Sequence, residues 1–134
     1  AHRETAHQGT AHRAPRNEAA WAWWRSIGAP TRVCAPMVRC SELAFRLMVR
    51  SHGVELCYTP MISARAFLAM ASDQERARFI EQHPHDRPLI VQFCTNCPDE
   101  FLAAALAAQG LCDAVDLNLG CPVDLGRGYG AVLA

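Results

Sequence analysis

One thiol in this sequence stands in a setting that suits acid–base chemistry. Cys121 lies between Gly120 and Pro122, directly after the alternating acidic and apolar run DAVDLNL at residues 113–119. A thiol in water is mostly protonated at neutral pH, so it can donate a proton. Glycine frees the backbone and proline stiffens it, so this loop can hold the thiol in one direction. A lone cysteine is often only a small buried hydrophobe. The framing favours Cys121 as a catalytic residue.

Two side-chain amides follow apolar runs in the same way. Gln92 lies in the run RPLIVQF at residues 87–93, and Asn118 lies near the end of the run that precedes Cys121. Each amide offers both a donor and an acceptor, which suits the edge of a planar heterocycle with alternating carbonyl and N–H groups. Gln92 and Asn118 are therefore candidate ligand-binding residues.

Four cysteines support two alternative interpretations. Cys94 and Cys97 form a C-x-x-C pair in FCTNCPDEF, between a strand-like run and a helix-like run, which resembles a thioredoxin-type dithiol site. The same pair together with Cys112 and Cys121 is a candidate zinc set. Its spacings differ from the paired knuckles of common structural zinc sites, so we expect no metal there.

The segment 1–28 differs from the rest of the chain. It repeats Ala-His in AHRETAHQGTAHRAP, a period that fits neither a helix face nor a strand, so we expect a flexible arm without a metal site at its histidines. The stretch EAAWAWWRSIG can form a short helix whose aromatic side chains pack against an apolar surface. The residues concerned are His2, His7 and His12 in the arm, and Trp21, Trp23 and Trp24 in the helix.

From residue 31 onward, strand-like and helix-like runs alternate. The order predicts β-α-β-α-β-α-β and hence a parallel sheet of the α/β class. We expect Ser41 to cap the first of these helices and Gly53 to end it, and Ser72 with Glu75 to form a capping box. The runs in chain order are TRVCAPM, SELAFRLMVRSHG, VELCYTPM, SDQERARFIEQH, RPLIVQF, PDEFLAAALAAQG and DAVDLNLG.

The unusual residues gather where the predicted strands end. Pro36-Met37, Thr59-Pro60-Met61, Gln92 and the segment 118–122 lie at or just beyond the carboxyl ends of their strands. Parallel α/β folds build their sites at this edge. Packing alone would place apolar residues there without a preference for an amide, a thiol or prolines. The sequence therefore predicts a site at this edge.

Composition limits the remaining possibilities. The 134 residues fit about one domain, and the formal net charge of zero gives no overall attraction to nucleic acid or to an anionic membrane. No apolar run reaches the roughly 18 residues of a membrane span, and no stretch is typical of a signal peptide. The odd number of seven cysteines, without the spacing of a small secreted scaffold, favours a reducing, intracellular compartment, cytoplasmic or nuclear.

Three stretches resemble a known enzyme family. They are APMVRCSELAFRLMVRSHGVELCYTPMISARAFL, DRPLIVQFCTNCPDEFLAAALAAQGLCDAVDLNLGCP and GYGAVL, and the second contains the specific element NLGCP. Together they resemble the N-terminal half of a tRNA-dihydrouridine synthase, of the eukaryotic branch that acts on D-loop uridines 16/17. The resemblance implies a (β/α)8 TIM barrel with FMN at its mouth, NADPH as the reductant and tRNA as the substrate. Residues 29–134 would be a partial barrel that is truncated after its fourth strand.

The resemblance also implies a role for each matched residue. Pro36, Met37 and Val38 would line the flavin through backbone and packing contacts, and Gln92 would hydrogen-bond the isoalloxazine ring. Asn118 would help to place the target uracil. Cys121 would be the general acid, giving a proton to C5 of the uracil while reduced flavin delivers hydride to C6.

The chain departs from the family pattern at several points. Arg39-Cys40 stands where the relatives usually carry Asp-Gln, and PVDLGRGYG is about two residues shorter than usual, with only Arg127 in its basic stretch. The later strands of the barrel, the flavin-phosphate site and the RNA-binding domain have no counterpart. We therefore expect this chain alone to bind FMN weakly or not at all and to be inactive. A non-catalytic remnant remains an alternative.

Overall fold

Apolar runs of the sequence form the strands of one parallel sheet, with helices between them. The computed structural model describes residues 18–121. Within that range the elements are α1 Glu18–Ser26, β1 Val33–Cys34, α2 Leu43–Ser51, β2 Leu56–Tyr58, β3 Ile62–Ser63, α3 Ala64–Leu68, α4 Asp73–Ile80, β4 Leu89–Cys94, α5 Pro98–Ala107 and β5 Ala114–Leu117.

Strand β4 is the centre of the sheet. It pairs in parallel with β5 along one edge, where Gln92 lies opposite Asp116. Its other edge pairs with β2 near its start and with β3 at its end, and β2 in turn pairs with β1. Every one of these pairings is parallel, which confirms the predicted α/β class and its alternating βα units.

The two faces of β4 have different surroundings. All six of its residues are buried. Leu89, Val91 and Phe93 belong to the main apolar core together with Phe67 and residues of α4 and α5. The rings of Phe67 and Phe93 are 5.1 Å apart. Because side chains alternate along a strand, Gln92 projects from the opposite face.

The expected helix boundaries are partly confirmed. Gly53 follows α2 with φ +91° and donates its N–H to the carbonyl of Arg50. The Ser72 hydroxyl accepts from Glu75 N at 3.2 Å, as expected. The Glu75 carboxylate, however, accepts from Ala71 N rather than from the Ser72 backbone. That half of the capping box is shifted by one residue.

The Ser41 cap was wrong. The cap position of α2 is Glu42, which makes no side-chain cap hydrogen bond. The Ser41 hydroxyl instead bonds both backbone groups of Met37. The segment between β2 and α4 also holds β3 and α3, which the sequence pattern did not predict.

Several predicted features lie outside residues 18–121, which the structure describes. The histidines His2, His7 and His12 lie outside residues 18–121, as do Pro122, Arg127 and GYGAVL. The three tryptophans lie on α1, where Trp23 and Trp24 are partly buried and Trp21 is 57% exposed. Among the described residues, no helix has the length and hydropathy that a bilayer crossing requires.

Candidate active site at the carboxyl edge of the sheet

The loop after β1 is closed by its own hydrogen bonds. Ser41 Oγ accepts from Met37 N at 3.0 Å and donates to Met37 O at 3.1 Å, and Ser41 N donates to the same carbonyl. Pro36 and Met37 are half-buried, whereas Val38 is 39% exposed. Arg39 has φ +61°, in the left-handed region. Because the Met37 N–H and carbonyl are engaged within the loop, Met37 can contact a ligand chiefly through its side chain.

The buried guanidinium of Arg46 binds this loop through a backbone carbonyl. Arg46 on α2 donates from Nη1 to the carbonyl of Ser41 at 2.8 Å and from Nη2 to that of Ile80 at 3.1 Å. Its Nε donates to Asp86 Oδ2 at 2.7 Å, and both side chains are almost completely buried. The buried cation therefore has an ionic partner and carbonyl acceptors, as a charge in the interior requires.

Thr59 joins β2 to β4 where their pairing ends. Its N–H donates to the carbonyl of Ile90 at 2.9 Å, and its hydroxyl accepts from Gln92 N at 3.2 Å. The hydroxyl also donates to the carbonyl of Pro60. The Thr59 side chain thus supplies the acceptor for the Gln92 N–H and holds the backbone of Gln92.

A line of side-chain hydrogen bonds connects β4 with β5. Gln92 Nε2 donates to Asp116 Oδ2 at 2.7 Å. Asn118 Nδ2 donates to Gln92 Oε1 at 3.0 Å, and Asn118 Oδ1 accepts from Gly120 N at 2.9 Å. The Asn118 N–H bonds the carbonyl of Phe93, so its backbone continues the ladder just beyond β5. The two predicted amides are thus brought together, and the line reaches the residue before Cys121.

Cys121 is half-buried beside two sulfur-bearing side chains. It packs against Met61, which follows β2, and against Cys94 at the end of β4. Burial raises the pKa of the Cys94 thiol, and the neighbouring Cys121 raises it further. Met61 and Cys94 limit the access of water to one side of Cys121, so its thiol is partly shielded from solvent.

These groups fit the edge of a planar heterocycle. Gln92 and Asn118 each keep one amide N–H that the line of hydrogen bonds does not use. Such donors match the carbonyl oxygens of an isoalloxazine or a pyrimidine. Pro36, Met37 and Val38 lie at the same edge, beyond β1. The edge therefore combines unused amide donors with an apolar loop.

Comparison with known proteins decides the family. The family model described as dihydrouridine synthase (Dus) matches residues 33–134, about three quarters of the chain. The chain belongs to the dihydrouridine synthase family. Its parallel βα units are consistent with part of the barrel of that family, whose members use FMN and NAD(P)H.

Several curated relatives align with most of the chain. A tRNA-dihydrouridine(16/17) synthase [NAD(P)(+)]-like protein of Rattus norvegicus is 53% identical over 113 residues, 83% of this chain and 26% of the relative. The tRNA-dihydrouridine(16/17) synthase [NAD(P)(+)] of Saccharomyces cerevisiae is 47% identical over 110 residues, 80% of this chain and 26% of the relative. A Homo sapiens protein named tRNA-dihydrouridine(20a/20b) synthase [NAD(P)+]-like is 43% identical over 108 residues, 79% of this chain and 33% of the relative. The chain thus spans about a quarter to a third of the length of these relatives.

The dithiol alternative does not fit the geometry of this family member. Cys94 is 1% exposed, and burial raises its pKa, whereas a thioredoxin-type attacking thiol needs a lowered pKa and access to its substrate. Cys97 occupies the cap position of α5, and both thiols are free.

The four cysteines of the alternative zinc set do not lie together in the structure. Cys112 precedes β5 and its Sγ contacts the carbonyl of Ala108, so it lies at the opposite end of that strand from Cys121. Within residues 18–121, no group of three or more His, Cys, Asp or Glu side chains is placed to hold a metal ion.

Sequence reasoning missed Asp116 as a member of this site, and it placed Thr59 at the strand edge without identifying its partner. Asp116 anchors the Gln92 amide, and Thr59 holds the Gln92 backbone. Asp116 stands two positions before Asn118 in a strand-like run, so the alternation of side chains placed both on one face. That signal was sufficient to include Asp116 beside Asn118. Nothing in the sequence paired Thr59 with Gln92, because their contact depends on the strand register.

Proposed function

We propose that this chain supplies the first half of the catalytic barrel of a tRNA-dihydrouridine synthase, which reduces the 5,6 double bond of uracil in the tRNA D-loop. The observation that carries the proposal is the position of Cys121, joined through Gly120 to the Asn118–Gln92 amide pair at the carboxyl edge of the sheet. The match to the family over residues 33–134 supports the same chemistry.

The flavin would lie against the loop after β1 and the amide of Gln92. Pro36, Met37 and Val38 supply apolar contact, since the Met37 backbone is already engaged by Ser41. Gln92 has a free amide N–H for a ring carbonyl and is held on both its backbone and its side chain. When bound, FMN reduced by NADPH supplies a hydride for C6 of the uracil.

Cys121 is the proton donor of this proposal. As C6 of the uracil is reduced, negative charge develops toward C5, and a neutral thiol can give its proton there. Asn118 places the base through its free N–H, which suits a carbonyl oxygen of uracil. Met61 and Cys94 cover the thiol on one side and restrict water there. The thiolate left behind regains its proton from solvent.

The substrate is a base within folded RNA. A uridine in the D-loop has to leave its stack to reach a thiol that is half-buried at the edge of a sheet. The rat and yeast relatives are named for positions 16/17, and we propose the same pair for this chain. A tRNA substrate places the protein inside the cell, in the cytoplasm or the nucleus.

A chimera tests this function, because the chain spans 26% of the yeast relative. The matched segment of the Saccharomyces cerevisiae synthase is replaced by the corresponding residues of this chain, and dihydrouridine is measured in tRNA from cells that lack the native enzyme. We expect the chimera to hold flavin after desalting and to form dihydrouridine. Gln92→Ala should weaken the flavin band.

The control substitution is Gln109→Ala, an exposed glutamine just after α5 and away from the carboxyl edge. It should leave the flavin band unchanged. A chimera that holds flavin but forms no dihydrouridine would contradict the proposal and favour a non-catalytic remnant.

A further inference from the structure

The hydrogen bonds that connect β4 with the Cys121 loop all run in one direction. The Gly120 N–H donates to Asn118 Oδ1, Asn118 Nδ2 donates to Gln92 Oε1, and Gln92 Nε2 donates to Asp116 Oδ2. A backbone N–H can only donate, and an ionised carboxylate can only accept. Both ends of the line therefore require the same orientation of the two amides between them.

The position of Asp116 is explained by its hydrogen bond with Gln92 and not by an ion pair among the described residues. Within residues 18–121 it forms no ion pair, and its side chain is half-buried. Tyr58 is its neighbour across the sheet face: burial raises the pKa of the Tyr58 hydroxyl, and the charge of Asp116 raises it further. A carboxylate beside a half-buried phenol, without a cation, is costly unless it accepts a hydrogen bond.

We propose that Asp116 is a positioning residue of the active site, which fixes the two amides and, through them, the loop that carries Cys121. Gln92 is only 6% exposed, and the oxygen and nitrogen ends of its amide are nearly equal in size. Without an acceptor-only group opposite Nε2, that amide can rotate and present its oxygen instead. Asn118 would then lose its acceptor, and the Gly120 N–H would lose a fixed partner.

The consequence for the site is a defined set of donors. With both amide oxygens engaged inside the line, the groups that Gln92 and Asn118 leave to a ligand are their remaining N–H donors. Asp116 therefore selects ligand edges that carry carbonyl oxygens, without touching the ligand. The inference rests on the proposed function for the role of Cys121, but the position of the loop can be measured without catalysis.

The experiment measures the rate at which iodoacetamide alkylates each cysteine of the full chain, resolved by mass spectrometry, in buffer and in urea. In the unaltered chain we expect Cys121 to react more slowly in buffer than in urea. Asp116→Leu keeps a similar shape and removes the acceptor. It should raise the Cys121 rate roughly three- to tenfold, as expected for the loss of one hydrogen bond. Cys57, which is fully buried in β2, reports on the rest of the fold.

Three further variants separate positioning from charge. Asp116→Asn keeps an oxygen that can accept from Gln92, so the Cys121 rate should stay near that of the unaltered chain. Gln92→Glu puts two carboxylates face to face and should raise the rate. Gln92→Glu combined with Asp116→Asn restores a donor opposite an acceptor and should lower the rate again, as a double-mutant cycle measures.

Four results would overturn the inference. They are an unaltered chain whose Cys121 is no slower in buffer than in urea, an Asp116→Leu variant without effect, an Asp116→Asn variant as fast as Asp116→Leu, and an equal rise at Cys57. The last result would make Asp116 a general stabiliser of the fold. Failure of the chimera to reduce tRNA, with the alkylation pattern intact, would instead overturn the proposed function alone.

Discussion

Arg46 and Asp86 form an ion pair that is almost completely removed from solvent. The Nε–Oδ2 distance is 2.7 Å, and the two side chains are 1% and 0% exposed. Arg50 donates to the other carboxylate oxygen at 2.8 Å, so one carboxylate serves two guanidinium groups of α2. Arg46 also reaches the carbonyl of Ser41, which closes the loop after β1. The buried pair therefore connects the stability of α2 with the shape of the loop after β1.

Removal of one partner of this pair should destabilise the chain strongly. Asp86→Ala leaves two guanidinium groups without their carboxylate, and a broken buried pair costs about 3 to 5 kcal/mol. The free energy of unfolding from urea titration measures this loss. Arg65→Ala, which breaks an ion pair whose arginine is 73% exposed, is the control and should cost far less. Equal losses in the two variants would contradict this account.

A further prediction tests the apolar core at Phe93, which is fully buried against Phe67. Phe93→Ala opens a cavity between β4 and α3, and such truncations cost about 3 to 5 kcal/mol. The matched control is Phe79→Ala, because Phe79 is 54% exposed at the end of α4. We expect the control to change the free energy of unfolding by at most about 0.5 kcal/mol. A control as damaging as Phe93→Ala would show that the core is elsewhere.

Glu55 should make stability depend on pH in the acid range. Hydrogen bonds from the backbone N–H groups of Thr31 and Arg32, and then from the Arg32 side chain, lower the pKa of Glu55 from 4.5 to about 2. A lowered pKa in the folded state stabilises the fold above pH 4.5, and this contribution is lost as the pH falls to about 2. Glu55→Gln should flatten the curve of unfolding free energy against pH over that window. An unchanged curve would contradict the assignment.

The two thiols of the C-x-x-C pair should differ in reactivity. Burial raises the pKa of Cys94, which is 1% exposed, whereas Cys97 is partly exposed at the start of α5. We expect iodoacetamide at pH 8 to modify Cys97 well before Cys94, because the thiolate is the reactive form. Faster modification of Cys94, or a Cys94–Cys97 disulfide that forms readily in air, would revive the dithiol alternative.

The sequence predicted the strands that are long or clearly bounded. β4 appeared as a continuous apolar run because both of its faces are buried. β3 has two residues and α3 has five, which is too short for a periodic pattern to show. Ser41 looked like a helix cap, since the sequence could not show that Arg46 holds the Ser41 carbonyl from the core.

The sequence predicted most residues of the candidate site but not the hydrogen bonds between them. Gln92 and Asn118 were named because amides at strand ends suit a heterocycle. Their mutual hydrogen bond follows from the register that sets Gln92 opposite Asp116, and register depends on tertiary packing. The position of Cys121 between glycine and proline pointed to it as a catalytic residue, and resemblance to the family implied its role as general acid. The structure adds Met61 and Cys94 as its neighbours.

The most direct test of the central claim is uridine reduction by the yeast chimera with Cys121→Ala, measured in a single turnover with the flavin already reduced. If Cys121 is the general acid, we expect the rate of dihydrouridine formation to fall about 100- to 10,000-fold. Flavin content and the reduction of flavin by NADPH should stay unchanged. A rate within about twofold of the unaltered chimera would contradict the assignment of Cys121 as the proton donor.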